Sequence, residues 1–159
     1  MTFPDAITQC FRKYAAFGGR ASRSEYWWYT LFILLVMVAL NVIVMLLFRQ
    51  ARLAQLLTQV FSLATFLPTL AVSWRRMHDS GRPGYLVMVW ALGTFLGLLV
   101  IAVTAAIMVP DTSNPEAVQT LRTIGVATFA FCLVVTAIMI WWMTRRSDPA
   151  VNRFGPPST

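Results

Sequence analysis

The chain has 159 residues, 58% hydrophobic and 12% charged, with mean hydropathy +0.66; a soluble domain has roughly 45–50% apolar and about 25% charged residues, so an ordinary soluble domain is excluded. The net charge of +7, from 13 Lys and Arg against 6 Asp and Glu, would point to nucleic acid in a soluble chain. In a membrane composition no nucleic acid is expected, and the excess reports orientation and contact with anionic lipid headgroups.

Phe3, Ile7, Cys10, Phe11 and Tyr14 recur at a spacing of three and four, so residues 2–17 read as an amphipathic helix. Thr2 can cap it, Pro4 suits the first turn, and Arg12 and Lys13 complement the dipole at its end. It belongs either at the membrane interface with the apolar face down, or packed on the protein's own loops. Phe17-Gly18-Gly19-Arg20 breaks it. Ser22-Arg23-Ser24-Glu25 then has the form of a capping box, which starts a helix at Ser22 and makes Glu25 a cap residue.

Tyr26, Trp27, Trp28 and Tyr29 form an aromatic belt, and the apolar run to Phe48 is long enough to cross a hydrocarbon core of roughly 30 Å. Asn41, its strongly polar interior residue, should face another helix. Residues 49–55 read as a short polar connection to a second span over 56–74, where Pro68 should kink the helix and free a carbonyl for a neighbour to satisfy. Arg75 to Tyr85 reads as a short ordered loop with the turn pairs Ser80-Gly81 and Pro83-Gly84. A third span covers 85–109 and carries Gly93-x-x-x-Gly97, which can let helices approach closely. The loop over 110–119 carries only acidic charge, Asp111 and Glu116. The fourth span covers 121–143, and a proline-bearing tail follows over 144–159. The expected fold is all-α: four transmembrane helices in one integral membrane domain, preceded by a short amphipathic helix. The first apolar run is too long for a cleaved leader and reads as retained.

Four spans put the N-terminal segment, the Arg75 loop and the tail on one side. Ten of the Lys and Arg residues fall there, and only Arg49, Arg52 and Arg122 on the other. The positive-inside rule therefore expects both termini in the cytoplasm.

Three stretches resemble a family of small bacterial inner-membrane proteins defined only as a domain of unknown function. Phe17 to Trp27 is similar to its F-x-G-R-x-x-R-x-E-[YF]-W signature, and Arg75 to Tyr85 to its R-R-x-H-D-x-G-x-x-G-[WY]. Asn152 to Pro157 resembles a terminal N-x-[FY]-G-P, although Asp148-Pro149-Ala150 stands where glycines are expected upstream. The resemblance implies the bacterial inner membrane and directs attention to these residues; it implies no activity.

The candidate chemistry is sparse. His78 and Asp79 are the pair that could serve a general base, yet no nucleophile is identifiable beside them. With one histidine and the two distant cysteines Cys10 and Cys132, no disulfide framework, metal site or cofactor is implied. No span carries an interior Asp, Glu, Lys, Arg or His, which counts against a transporter built from this chain alone. The expected role is an interaction or scaffold protein whose arginine-rich cytoplasmic surface, Arg20, Arg23, Arg75 and Arg76, binds anionic lipid, a protein partner or a second copy. Glu25, Asp79 and His78 complete that binding set. The alternative is a small membrane enzyme acting on a lipid-borne substrate through His78 and Asp79. Because the first two spans are antiparallel neighbours, Glu25 and Asp79 should pair with arginines of the other signature, joining the two into one site.

Overall fold

Five helices account for most of the chain in the computed structural model, which describes residues 1–48, 51–108 and 115–156: α1 (Phe3–Arg12), α2 (Arg23–Phe48), α3 (Ala51–Asp79), α4 (Tyr85–Met108) and α5 (Pro115–Thr144). Helices α2 to α5 are each long and apolar enough to cross a membrane. Their large apolar side chains point outward, Leu46, Leu63 and Ile107 among them, which suits lipid and not water. α3 is the most enclosed of the four, with 28% of its most apolar stretch buried against 6% in each of the others.

Four boundaries differ from the sequence reading. α1 stops at Arg12, and residues 13–17 expected in it are turn and loop. α3 begins at Ala51, so Arg52 and Gln55 are helical and not part of a loop. It also continues through Asp79, which puts Arg75, Arg76, His78 and Asp79 on its last turns. The stop is a Schellman motif: Gly81 N–H donates to the His78 carbonyl at 3.0 Å and Arg82 N–H to the Met77 carbonyl at 3.0 Å. Gly81 supplies the positive φ of 74° that this ending requires. The motif lies after Asp79, so an arginine pair that looked like the start of a loop is helix. At the other end of the chain's loops, Glu116 to Gln119 belong to α5; Arg49, Gln50 and the acidic loop's Asp111 lie outside the described residues.

The chain packs as two compact units. One runs from Met1 to Gly84 and takes in the tail from Arg145. Within it α2 and α3 lie against each other, and Asn41 does face its neighbour, donating to Thr58 Oγ1 at 3.0 Å. The start of α2 is half of the expected capping box: Glu25 N–H donates to Ser22 Oγ at 3.2 Å, while the Glu25 side chain turns away.

α1 packs on the spanning helices α2 and α3, with Ala21 of the loop that follows it in the same cluster as Cys10. Ala6 and Cys10 are fully buried, and Phe11 meets Tyr29 and Phe32 edge-on. Pro68 has no N–H for the carbonyl four residues back, Ala64. The Tyr14 hydroxyl donates to that carbonyl, so the orphaned acceptor of α3 becomes the docking point for the end of α1. The second unit is α4 against α5. A methyl group on Gly97 would sit 3.1 Å from Cys132 Sγ and Thr128, so this glycine permits the approach. Gly93 meets nothing within 4 Å, and only half of the paired-glycine motif is used.

Candidate functional site

One end of the first unit holds a buried polar centre. Arg20 Nε donates to Asp79 Oδ1 at 2.9 Å, and Arg76 Nη1 donates to Asp79 Oδ2 at 2.6 Å. Arg75 Nη1 donates to Glu25 Oε1 at 2.8 Å. The two signatures are thus joined through both carboxylates, as their neighbouring positions imply, and the Ala21 N–H to Arg75 carbonyl bond of 3.1 Å adds a backbone link.

The expected arginine-rich surface is instead an interior. Arg75 and Arg76 are 1% and 0% exposed, Arg20 is 7% exposed, and both carboxylates are buried. Three guanidinium groups against two carboxylates leave one positive charge in excess, and backbone carbonyls offset it. Arg20 donates to the carbonyls of Ala150 at 2.8 Å, Gly155 at 3.4 Å and Asp79 at 3.3 Å, and to Asp148. Arg76 donates to the Arg145 carbonyl. A carboxylate in a partly desolvated layer draws in its counterion, because an unpaired buried charge costs far more than a solvated one. Arg23 is not brought in; it stays exposed at the start of α2 and makes no ion pair among the described residues.

The tail closes the centre. Asp148 N–H donates to the Asp79 carbonyl at 2.9 Å, and Asn152 Nδ2 to the His78 carbonyl at 3.1 Å. A small turn between Asn152 and Gly155, with Phe154 N–H on Asn152 Oδ1 at 2.9 Å, presents the Phe154 ring to His78. The two rings stack at 3.8 Å and 4°. His78 Nδ1 lies 3.1 Å from the Gly19 carbonyl, which assigns it the proton, and Trp74 meets the imidazole edge-on. All three signature stretches therefore converge on one place.

This geometry gives His78 and Asp79 holding roles. Both Asp79 oxygens are taken by guanidinium groups, so the carboxylate does not serve as orienter of the imidazole, and Phe154 covers one face of the ring. Among the described residues no three His, Cys, Asp or Glu side chains gather as metal ligands.

Two participants went unread in the sequence. Gln9 Nε2 donates to Glu25 Oε2 at 3.3 Å, and Cys10 Sγ lies 3.9 Å from Glu25 Oε1. Burial pushes the Cys10 thiol up to about 12, with Glu25 adding to the rise and Arg75 opposing it, so the sulfur is an inert neutral group. Arg75 Nε and Nη2 are buried without a hydrogen-bond partner among the described residues.

The fold and this centre define a polytopic membrane protein whose first two spans, α2 and α3, carry a buried arginine and carboxylate cluster at one end. Residues 14–156 match the family described as Protein of unknown function (DUF805), and the chain belongs to that family. Inner membrane protein YhaI of Escherichia coli K12 is 41% identical over 95 residues, 58% of this chain and 75% of that protein. Inner membrane protein YhaH of the same strain is 32% identical over 100 residues, 62% of this chain and 82% of that protein. No solved structure matches. The relatives and the four apolar helices make the chain a multi-pass protein of the inner membrane.

Proposed function

We propose that the chain is a scaffold of the inner membrane, with both termini in the cytoplasm, that holds anionic headgroups on that side. The observation that carries this reading is the division of the charges. The groups singled out as catalytic candidates, and the second carboxylate, are held in contacts of their own: Asp79 by two arginines, Glu25 by Arg75 and Gln9, His78 by Gly19 and Phe154. Arg12, Lys13, Arg23 and Arg146 remain exposed at the same end and make no ion pair among the described residues. Surface-proximal cations attract anionic lipid at about 1 kcal/mol each, screened by salt. The buried centre sets the shape, and the outer cations supply the contact.

Native mass spectrometry of the gently extracted protein tests this. Anionic phospholipid should be retained in preference to zwitterionic lipid, and the preference should fall as salt rises. Equal retention of both would overturn the lipid reading, and a stoichiometric protein adduct in its place would assign the surface to a partner or a second copy.

A further inference from the structure

A cavity of about 650 Å³ is lined by Asp5, Thr8, Gln9, Arg12 and Lys13, the polar face of α1. Its volume falls in the range of small-molecule sites, roughly 300–1,000 Å³. The wall's hydrogen-bonding groups are mostly committed elsewhere. Thr8 Oγ1 donates to the Pro4 carbonyl at 2.9 Å, and Gln9 Nε2 donates to Glu25. Asp5 accepts from the Thr2 N–H at 3.3 Å and from the Thr2 hydroxyl, bonds that hold its carboxyl below the usual carboxylate range. The donors left to a ligand are therefore the guanidinium of Arg12 and the ammonium of Lys13, neither with an ion-pair partner among the described residues. Ionised Asp5 and the dipole at the end of α1, about half a negative charge, together fall short of two full cations, so the wall keeps a net positive charge.

The depth of the cavity narrows the ligand. α1 lies across the first turns of α2, where Phe3 meets Trp28 of the aromatic belt edge-on. Gln9 meets Glu25 in the first turn of α2, and Arg12 stands one turn beyond Gln9 along α1 with Lys13 next to it. Belt aromatics mark the headgroup layer, so this part of α1 lies beside the layer that holds lipid phosphates.

From this we infer that the polar face of α1 is a phosphate-ester site, with Arg12 as the forked donor and Lys13 as the point charge, and that the ester is carried by an anionic phospholipid. The inference rests on the lipid reading above and assigns it a place. Gln9 belongs both to the cavity wall and to the Glu25–Arg75 pair, so an occupied site is braced by the buried centre.

The test is a native mass-spectrometric titration of the full chain with phosphatidylglycerol and, separately, phosphatidylethanolamine, whose own ammonium competes for the phosphate. Loss of one surface cation weakens binding about fivefold; Arg12→Gln with Lys13→Gln should weaken phosphatidylglycerol about thirtyfold. Arg52→Gln with Arg122→Gln removes the same charge from cations that the positive-inside count puts on the other side, and should stay within about twofold of the wild type. Protection of the Cys10 thiol from maleimide in the first pair confirms that α1 is still docked. A first pair that loses no more than this control overturns the site, and the lipid reading stands if the wild type still prefers phosphatidylglycerol. No preference for phosphatidylglycerol in the wild type overturns both. Displacement of the lipid by millimolar glycerol 3-phosphate or inorganic phosphate supports the site but assigns it to a soluble phosphate; resistance to displacement supports the lipid.

Discussion

Asp79 is the residue on which the buried centre depends most, and its neutralisation gives a quantitative test. Asp79→Asn keeps the shape of the side chain but removes the charge that faces Arg20 Nε at 2.9 Å and Arg76 Nη1 at 2.6 Å. The cluster would then hold three guanidinium groups against the single carboxylate of Glu25. Removing one partner of a buried pair costs about 3–5 kcal/mol, because the other charge is left uncompensated. Arg20→Gln should cost a similar amount, since it also surrenders the bonds to Ala150, Asp148 and Gly155 that hold the tail. In the double variant the two losses overlap. Unfolding in mixed micelles should therefore show a coupling of about 2–3 kcal/mol, within the range of contacting pairs. A charge swap is a poorer test, because an arginine at position 79 would face Arg76. Additivity to within about 0.5 kcal/mol would refute the pairing of Arg20 with Asp79.

Tyr14→Phe removes the donor to the Ala64 carbonyl and should cost about 1–3 kcal/mol, read as faster maleimide labelling of Cys10 once α1 undocks; unchanged labelling would separate Tyr14 from docking. In a Cys132→Ser background Cys10 should label at neutral pH only after denaturation. The Cys10 thiol is raised above its unfolded value of 9.0 to about 12, so as pH rises the unfolded chain loses the proton first. Stability from the buried thiol is fully present below pH 9 and falls between 9 and about 12, by at most about 1.4 kcal/mol per unit; Cys10→Ala should lack that slope. A cysteine at Ser113 should react with an impermeant thiol reagent in intact cells while one in the tail does not; the opposite pattern would reverse the orientation.

The architecture was legible because its signals are local and strong. Four long apolar runs, belt aromatics and the absence of interior charge identify spans with little dependence on tertiary contacts. The pairing of Glu25 and Asp79 with arginines of the other signature followed from antiparallel neighbours and the cost of an unpaired charge. The length of α3 was misread because an Arg-Arg pair after an apolar run resembles the start of a loop, whereas here two carboxylates keep the guanidinium groups inside and let the helix continue. That misreading also placed Arg20, Arg75 and Arg76 on a surface. Pro68 announced an orphaned carbonyl at Ala64, and the need for a donor was readable; that Tyr14 supplies it depends on where α1 docks, which no local pattern encodes. The tail was illegible for a similar reason. The Asp148 N–H and the Asn152 side chain donate to carbonyls of α3, Arg20 and Arg76 donate to carbonyls of the tail, and carbonyl acceptors leave no mark in a sequence.

Hydrogen exchange of the wild-type protein in lipid nanodiscs tests most directly whether three separate stretches close into one static centre. The amides of Ala21, bonded to the Arg75 carbonyl at 3.1 Å, and of Asp148, bonded to the Asp79 carbonyl at 2.9 Å, should both exchange slowly. Both should accelerate together in Asp79→Asn, as members of one cooperative unit do. A wild type in which Ala21 is protected while Asp148 exchanges at the rate of an unfolded peptide would contradict the account, because the tail would then be no part of the centre.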